Sequence, residues 1–276
     1  MKQVLLFCSL LLTGALVNAQ IKTPAPSPSQ TIKQAFGLSS IELSYSRPAM
    51  KGRAIFGDLV PFGKVWRTGA NNATTLSFGD EVTIGGKTIA AGKYGLLSIP
   101  EKDSWTLIIS KQTNVTSPAA YKQEEDLVRV QAKVNKVPMK AESFTMQFAN
   151  MKPASCDLVI RWDDVMVKLP ITTDVDGKVM ASIDASMKSD KPDYFQAASY
   201  YLENGKDLNK ANEWFAKAVE ANPKAFWIPY QQARALAKSG KKAEAKAAAL
   251  KSMGLAKEAK SDDYVKLNEK LLAELK

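Results

Sequence analysis

No histidine occurs in the 276 residues, and cysteine occurs only at Cys8 and Cys156. Histidine is the side chain whose ordinary pKa lies nearest neutrality. Its absence excludes a histidine general base, the Ser/His/Asp and Cys/His nucleophile arrangements, and zinc or haem sites that use imidazole. Any catalysis is left with carboxylate, lysine, tyrosine or arginine groups, and neither a metal nor a cofactor is expected. Arginine is scarce too, at six positions among 38 basic residues: Arg47, Arg53, Arg67, Arg129, Arg161 and Arg234. Apolar runs long enough to cross a bilayer as a helix, about 20 residues, are also missing, so no integral membrane segment is expected.

Residues 1–19 read as an export signal. Lys2 supplies the positive start, residues 4–17 an apolar run too short to span, and Val17-Asn18-Ala19 a small-residue cleavage site. Cleavage near Ala19 places the chain in the periplasm or outside the cell, with residues 20–30 as a flexible linker. Lipidation at Cys8 is disfavoured, because bulky Phe7 precedes it where such sites want a small residue. Cys156 is then left without an internal partner in an oxidising compartment. Within Cys156-Asp157-Leu158-Val159-Ile160 it reads as a small buried hydrophobe; a reactive thiolate would need a neighbouring cation.

The formal charge is +10. Many lysines fall in the last third, in phrases such as Lys238-Ser239-Gly240-Lys241-Lys242, and form the solvated faces of helices. A nucleic-acid site would want basic residues interleaved with stacking aromatics on one strand face, and an exported chain rarely meets such a ligand, so no nucleic-acid partner is expected. Acidic polysaccharide or anionic lipid headgroups would be held only nonspecifically.

The hydrophobic period changes between Thr172 and Pro192. Before it, Ile41-Glu42-Leu43-Ser44-Tyr45, Trp105-Thr106-Leu107-Ile108-Ile109, residues 127–134 and Phe144-Thr145-Met146-Gln147-Phe148 read as strands. Gly85-Gly86 between two short apolar runs predicts a two-residue hairpin, since glycine accepts the positive φ such turns need. Residues 158–162 and 165–169 read as final strands joined by a turn at Asp163-Asp164. With no segment suited to a helical crossover, residues 31–172 are expected to form an all-β antiparallel sandwich or barrel-like domain.

Residues 173–191 are expected to hold a linker or first helix, and 192–276 a small helical domain. Asp190 and Pro192 suggest a helix start. Leu208, Ala211, Trp214, Phe215, Ala218 and Val219 share one helical face that ends at Asn222-Pro223. Further helices are expected over about 225–239, 242–253 and 262–275. The pattern Ala211-x3-Phe215-x2-Ala218-x4-Pro223 resembles the second-helix half of a tetratricopeptide repeat, with a degenerate second copy around Ala243, Ala247 and Leu250. A plain helical bundle fits as well. Either arrangement suits docking of a protein partner.

Residues 46–72, from Ser46-Arg47-Pro48 to Trp66-Arg67-Thr68-Gly69-Ala70-Asn71-Asn72, hold half of all the arginines. This run, continued by Gly85-Gly86-Lys87, Ala91-Gly92-Lys93-Tyr94 and the stretch from Ile99-Pro100 to Trp105, resembles an exported bacterial family known as a domain of unknown function, family twenty-nine eleven. The resemblance covers about residues 28–171. It implies no mechanism, and no catalytic residue is carried over from it.

Glycine and proline give the block backbone shapes that other residues resist. Two readings follow. In one, Arg47, Lys51, Arg53, Lys64 and Arg67 grip a carboxylate, sulfate or phosphate while Trp66 with Asn71 or Asn72 contacts the rest of an anionic small molecule or glycan. In the other, the arginines pair with Asp58, Glu42 or carbonyl oxygens to pin the loop, and Trp66 is core. The acids elsewhere are less telling: Glu101 with Asp103, and Asp174-x-Asp176-Gly177, read as solvated turns. A glycan site would need Trp66, Trp105 or Trp162 lying flat on an exposed face.

Two functions remain. The first is non-catalytic binding of a ligand or partner with a helical tail for docking; the second is a carboxylate-, tyrosine- or arginine-dependent hydrolase or lyase at the loop 47–72. A tyrosine such as Tyr45 or Tyr94, or a carboxyl pair, converging with arginine in a cleft would favour the second.

Overall fold

Alternation of apolar and polar residues builds the first part of the chain as strands. In the computed structural model, which describes residues 23–275, ten strands form two antiparallel sheets. The first sheet has the order β1 (Ser29–Phe36), β2 (Ser39–Ser46), β3 (Thr75–Phe78), β6 (Gly92–Pro100), β7 (Ser104–Ser110), β8 (Asp126–Lys133). The second runs β5 (Lys87–Ile89), β4 (Val82–Ile84), β10 (Ser155–Thr172), β9 (Asn135–Lys152). Leu43, Leu76, Leu96 and Leu107 from one sheet meet Ile84, Met146, Leu158 and Val167 from the other in a single core, so the unit is a sandwich. Gly85 and Gly86 take φ of 57° and 77°, the double positive φ of the expected two-residue hairpin between β4 and β5.

Three local expectations are corrected. Asp163-Asp164 is not a turn: both lie inside β10, where Asp163 has φ 51° and the register against β9 shifts on either side of it. A bulge keeps the long strand continuous while re-aiming its side chains, and Lys140 and Lys136 pair with the two carboxylates at 2.8 and 2.7 Å. β1 begins at Ser29, and the carbonyls of Ser27 and Pro28 accept from Asn71 Nδ2 and the Arg47 N–H, tying residues expected to be linker to the loop. Asp176 is no turn residue either. It sits in the first turn of α1 (Val175–Met187), where Lys206 and then Tyr200 bind its carboxylate and hold its pKa below the usual value. The export signal at 1–19, with Cys8, lies outside the described residues.

Cys156 is buried in the sandwich core, and burial, then the neighbouring Asp157 charge, pushes its thiol up to about 11. A group protonated more tightly in the folded state stabilises the fold below its unfolded pKa, and that contribution fades as pH rises through the folded value. Burial also raises Tyr45. Stability of the sandwich is therefore expected to fall between the ordinary thiol value of 9.0 and about 11. Urea midpoints measured across this range should fall less steeply in Cys156→Ala; identical slopes would refute the assignment.

The chain divides after Asp174 into a second unit. Beyond α1 come α2 (Tyr194–Glu203), α3 (Leu208–Ala221), α4 (Trp227–Lys238), α5 (Lys242–Glu258) and α6 (Asp262–Glu274). Asp193, not Asp190 or Pro192, caps α2, its carboxylate accepting from the Gln196 N–H. Trp214, Phe215 and Val219 of α3 pack on Ala198 and Leu202 of α2 and Ile228 of α4. Buried polar ties join helices as well: Asn268 donates to Ser252 Oγ at 2.8 Å, and Ser252 donates to the Phe226 carbonyl at 2.7 Å. No helix among the described residues is long and apolar enough to cross a membrane.

Candidate functional site

The loop between β2 and β3 leaves one sheet for the other and returns. Residues 48–50 run beside β9, Phe144 donating to the Pro48 carbonyl and Met50 to that of Glu142, both at 2.8 Å. Lys51 and Gly52, at φ 50° and 72°, turn the chain, and Val60 closes a further turn on Ile55 at 2.9 Å. Trp66 then exchanges two backbone hydrogen bonds with Ser98 of β6, 2.7 and 2.9 Å long. Thr68, fully buried, holds φ 53°, a strained position for a β-branched residue. Its hydroxyl donates to Ser98 Oγ at 2.9 Å, and its carbonyl accepts from Thr74 at 2.8 Å. These bonds hold a geometry the residue would not choose.

Beneath the loop lies an aromatic cluster. Trp66 stacks on Trp162 at 5.9 Å with 17° between planes, and meets Phe144, Trp105 and Phe56 edge-on at 5.1, 6.0 and 6.5 Å. Trp66 Nε1 donates to the Gly69 carbonyl at 3.0 Å. Trp105 and Trp162 are each 1% exposed, so neither offers the open ring face that a stacked sugar needs. That part of the glycan expectation is corrected.

Above the cluster opens a cavity of about 680 Å³. Arg53, Lys64, Trp66 and Arg67 line it; Arg47, Lys51, Asn71 and Asn72 do not. Those four serve the loop or stand outside it. Arg47 donates to the Phe144 carbonyl at 3.2 Å and Thr145 Oγ1 at 3.0 Å, fastening the loop to β9. Lys51 and Asn71 occupy left-handed backbone positions, and Asn72 is exposed. The arginines find carbonyls, not Asp58 or Glu42. Arg53 Nε and Nη2 donate to Met50 and Ala49 at 2.9 and 2.6 Å, and Arg67 Nη1 donates to Thr116. The arginines thus pin backbone, and two of them also line a cavity.

The opposite wall was not foreseen. Thr116, Ser117 and Pro118 belong to a strap between β7 and β8 that covers the outer face of the first sheet through Val115, Leu97 and Ile108. Arg129 pairs with Asp126 at 2.8 Å, and Tyr121 donates to the same carboxylate oxygen at 2.5 Å, anchoring the strap's far end. The one signal for it in the sequence was the length of the segment, since long loops inside compact domains are uncommon. No aspartate or glutamate lines the cavity, and among the described residues no ion pair engages Arg53, Lys64 or Arg67. No cluster of three metal-ligating side chains occurs there either.

The fold and the loop define a two-sheet β-sandwich with a basic cavity lined by its β2–β3 loop, followed in sequence by a helical unit. Residues 27–171 match the family described as Protein of unknown function (DUF2911), and the chain belongs to it. No curated protein and no solved structure matches the chain.

Proposed function

We propose that the β unit binds a small anion in this cavity without transforming it, and that the helical unit docks a protein partner. The observation that carries the first half is a wall with three cations, Arg53, Lys64 and Arg67, and no aspartate or glutamate among the described residues that line it. Two of the three are guanidinium groups already held by carbonyls, which lowers the entropy lost on binding. The hydrolase or lyase reading lacks such support: Tyr45 is committed to Met146 and Gln30, Tyr94 to the Ala90 carbonyl, and neither lines the cavity.

For the helical unit, Leu208 and Lys242 open α3 and α5, alternate helices about 34 residues apart, the tetratricopeptide period. Gly205 and Gly240, at φ 64° and 77°, sit at the equivalent turns, which supports a repeat over a plain bundle. Export of the chain rests on the signal pattern in residues 1–19, and places the anion outside the cytoplasm.

Calorimetric titration with phosphate, sulfate, citrate and benzoate tests the cavity. At least one should bind, and the double substitution R53A/R67A should weaken it by at least about tenfold, or 1.4 kcal/mol. Because both arginines also brace the loop, the melting temperature should fall in the same variant. Unchanged binding alongside lowered melting would leave the arginines a purely structural role and end this reading.

A further inference from the structure

We propose that the cavity is built for an organic anion whose charged group is joined to an apolar body, and that it meets the two parts with different walls. This rests on the anion-binding reading above and narrows it. The cations occupy one class of position. Arg53 spends Nε and Nη2 on the Met50 and Ala49 carbonyls and keeps Nη1; Arg67 spends Nη1 on Thr116 and keeps Nη2, while its Nε is buried without a partner. Lys64 makes no ion pair among the described residues. Arg53 therefore presents an end nitrogen, whereas Arg67 keeps its Nε and Nη2 edge unpaired.

The rest of the wall is mainly apolar, from Pro48, Leu59, Val65, Trp66, Pro118 and Trp162. Leu59 is 43% exposed, one of the few large apolar side chains of the sandwich left open to water. A bare oxyanion would answer the cations but leave this surface wet, and a neutral apolar compound would cover the surface while stranding the cations. A molecule carrying both satisfies both. At about 680 Å³ the space is within the range of small-molecule sites, roughly 300–1,000 Å³, and larger than an inorganic anion fills.

Anilinonaphthalene sulfonate is a suitable probe, an aromatic body with one sulfonate that brightens in apolar surroundings. Titrated against the full chain, it should saturate one site and draw energy from tryptophan, since Trp66 and Trp162 line the cavity. Lys64→Glu, a change at an exposed residue outside the core, should weaken the probe by at least about tenfold with the melting temperature unchanged. N-phenylnaphthylamine, which lacks the sulfonate, should bind at least about tenfold more weakly, and sodium sulfate should compete only at concentrations on the order of a hundredfold higher. Sulfate competing as well as the probe would overturn the amphiphile assignment and leave anion binding standing. Neutral and anionic compounds binding alike, with no effect of Lys64→Glu, would overturn both.

Discussion

Replacing Trp162 by alanine is expected to cost the β-sandwich about 3–5 kcal/mol, the range for deleting a large buried aromatic. The ring is 1% exposed, stacks on Trp66, and meets Phe144 and Phe56 at 5.6 and 6.3 Å. Its indole N–H donates to the Glu142 carbonyl at 3.3 Å. Two of its ring partners, Phe56 and Trp66, belong to the loop 47–74, so the substitution should release the loop as well as hollow the core. Trp227→Ala is the comparison: that ring, in α4, is 41% exposed, and its loss should cost far less. Urea unfolding followed by amide exchange of β9 and β10 reads the sandwich separately from the helices. An unchanged midpoint in Trp162→Ala would mean that the aromatic cluster does not hold the loop down.

A second large effect is expected at Gly95. This buried glycine of β6 is flanked by Thr75 of β3 and Ser110 of β7, and a methyl group on it would run into the backbone carbonyl of Gln112. Gln112 begins the strap: its side chain donates to the Ala120 carbonyl at 3.0 Å and accepts from the Lys122 N–H at 2.7 Å. Backbone cannot swing aside as a flexible side chain can. Gly95→Ala should therefore lose about 3 kcal/mol, the upper end of overpacking costs, and displace the wall formed by Thr116 and Pro118. Gly86→Ala meets open space and pays only for its φ of 77°, about 1 kcal/mol. Equal losses in the two variants would show that the strap is not seated on β6.

The sandwich was legible because Ile41, Leu43 and Tyr45, or Trp105, Leu107 and Ile109, alternate along strands that bury one face. The helices were legible from the face running from Leu208 to Val219. Asp163-Asp164 misled because two acids in a row read locally as a turn, whereas the bulge there depends on β9 and on Lys136 and Lys140 lying opposite. For the candidate site, density of arginine and glycine pointed to the loop that lines the cavity. It could not tell Arg53 and Arg67, which reach the cavity, from Arg47, which is bound to β9, because that choice is made by strands about a hundred residues downstream. The strap was illegible for the same reason: its role comes from lying over β6 and β7, not from its own residues.

The passage of residues 48–50 beside β9 has a further consequence. β9 is the outermost strand of its sheet and 18 residues long, and a bare strand of that length offers its free N–H and C=O groups to any similar chain it meets. The loop occupies the middle of that edge, with Pro48 contributing a carbonyl and no donor, and Arg47 covering Phe144 and Thr145 alongside. The segment that roofs the cavity thus also acts as a guard against edge-to-edge polymerisation.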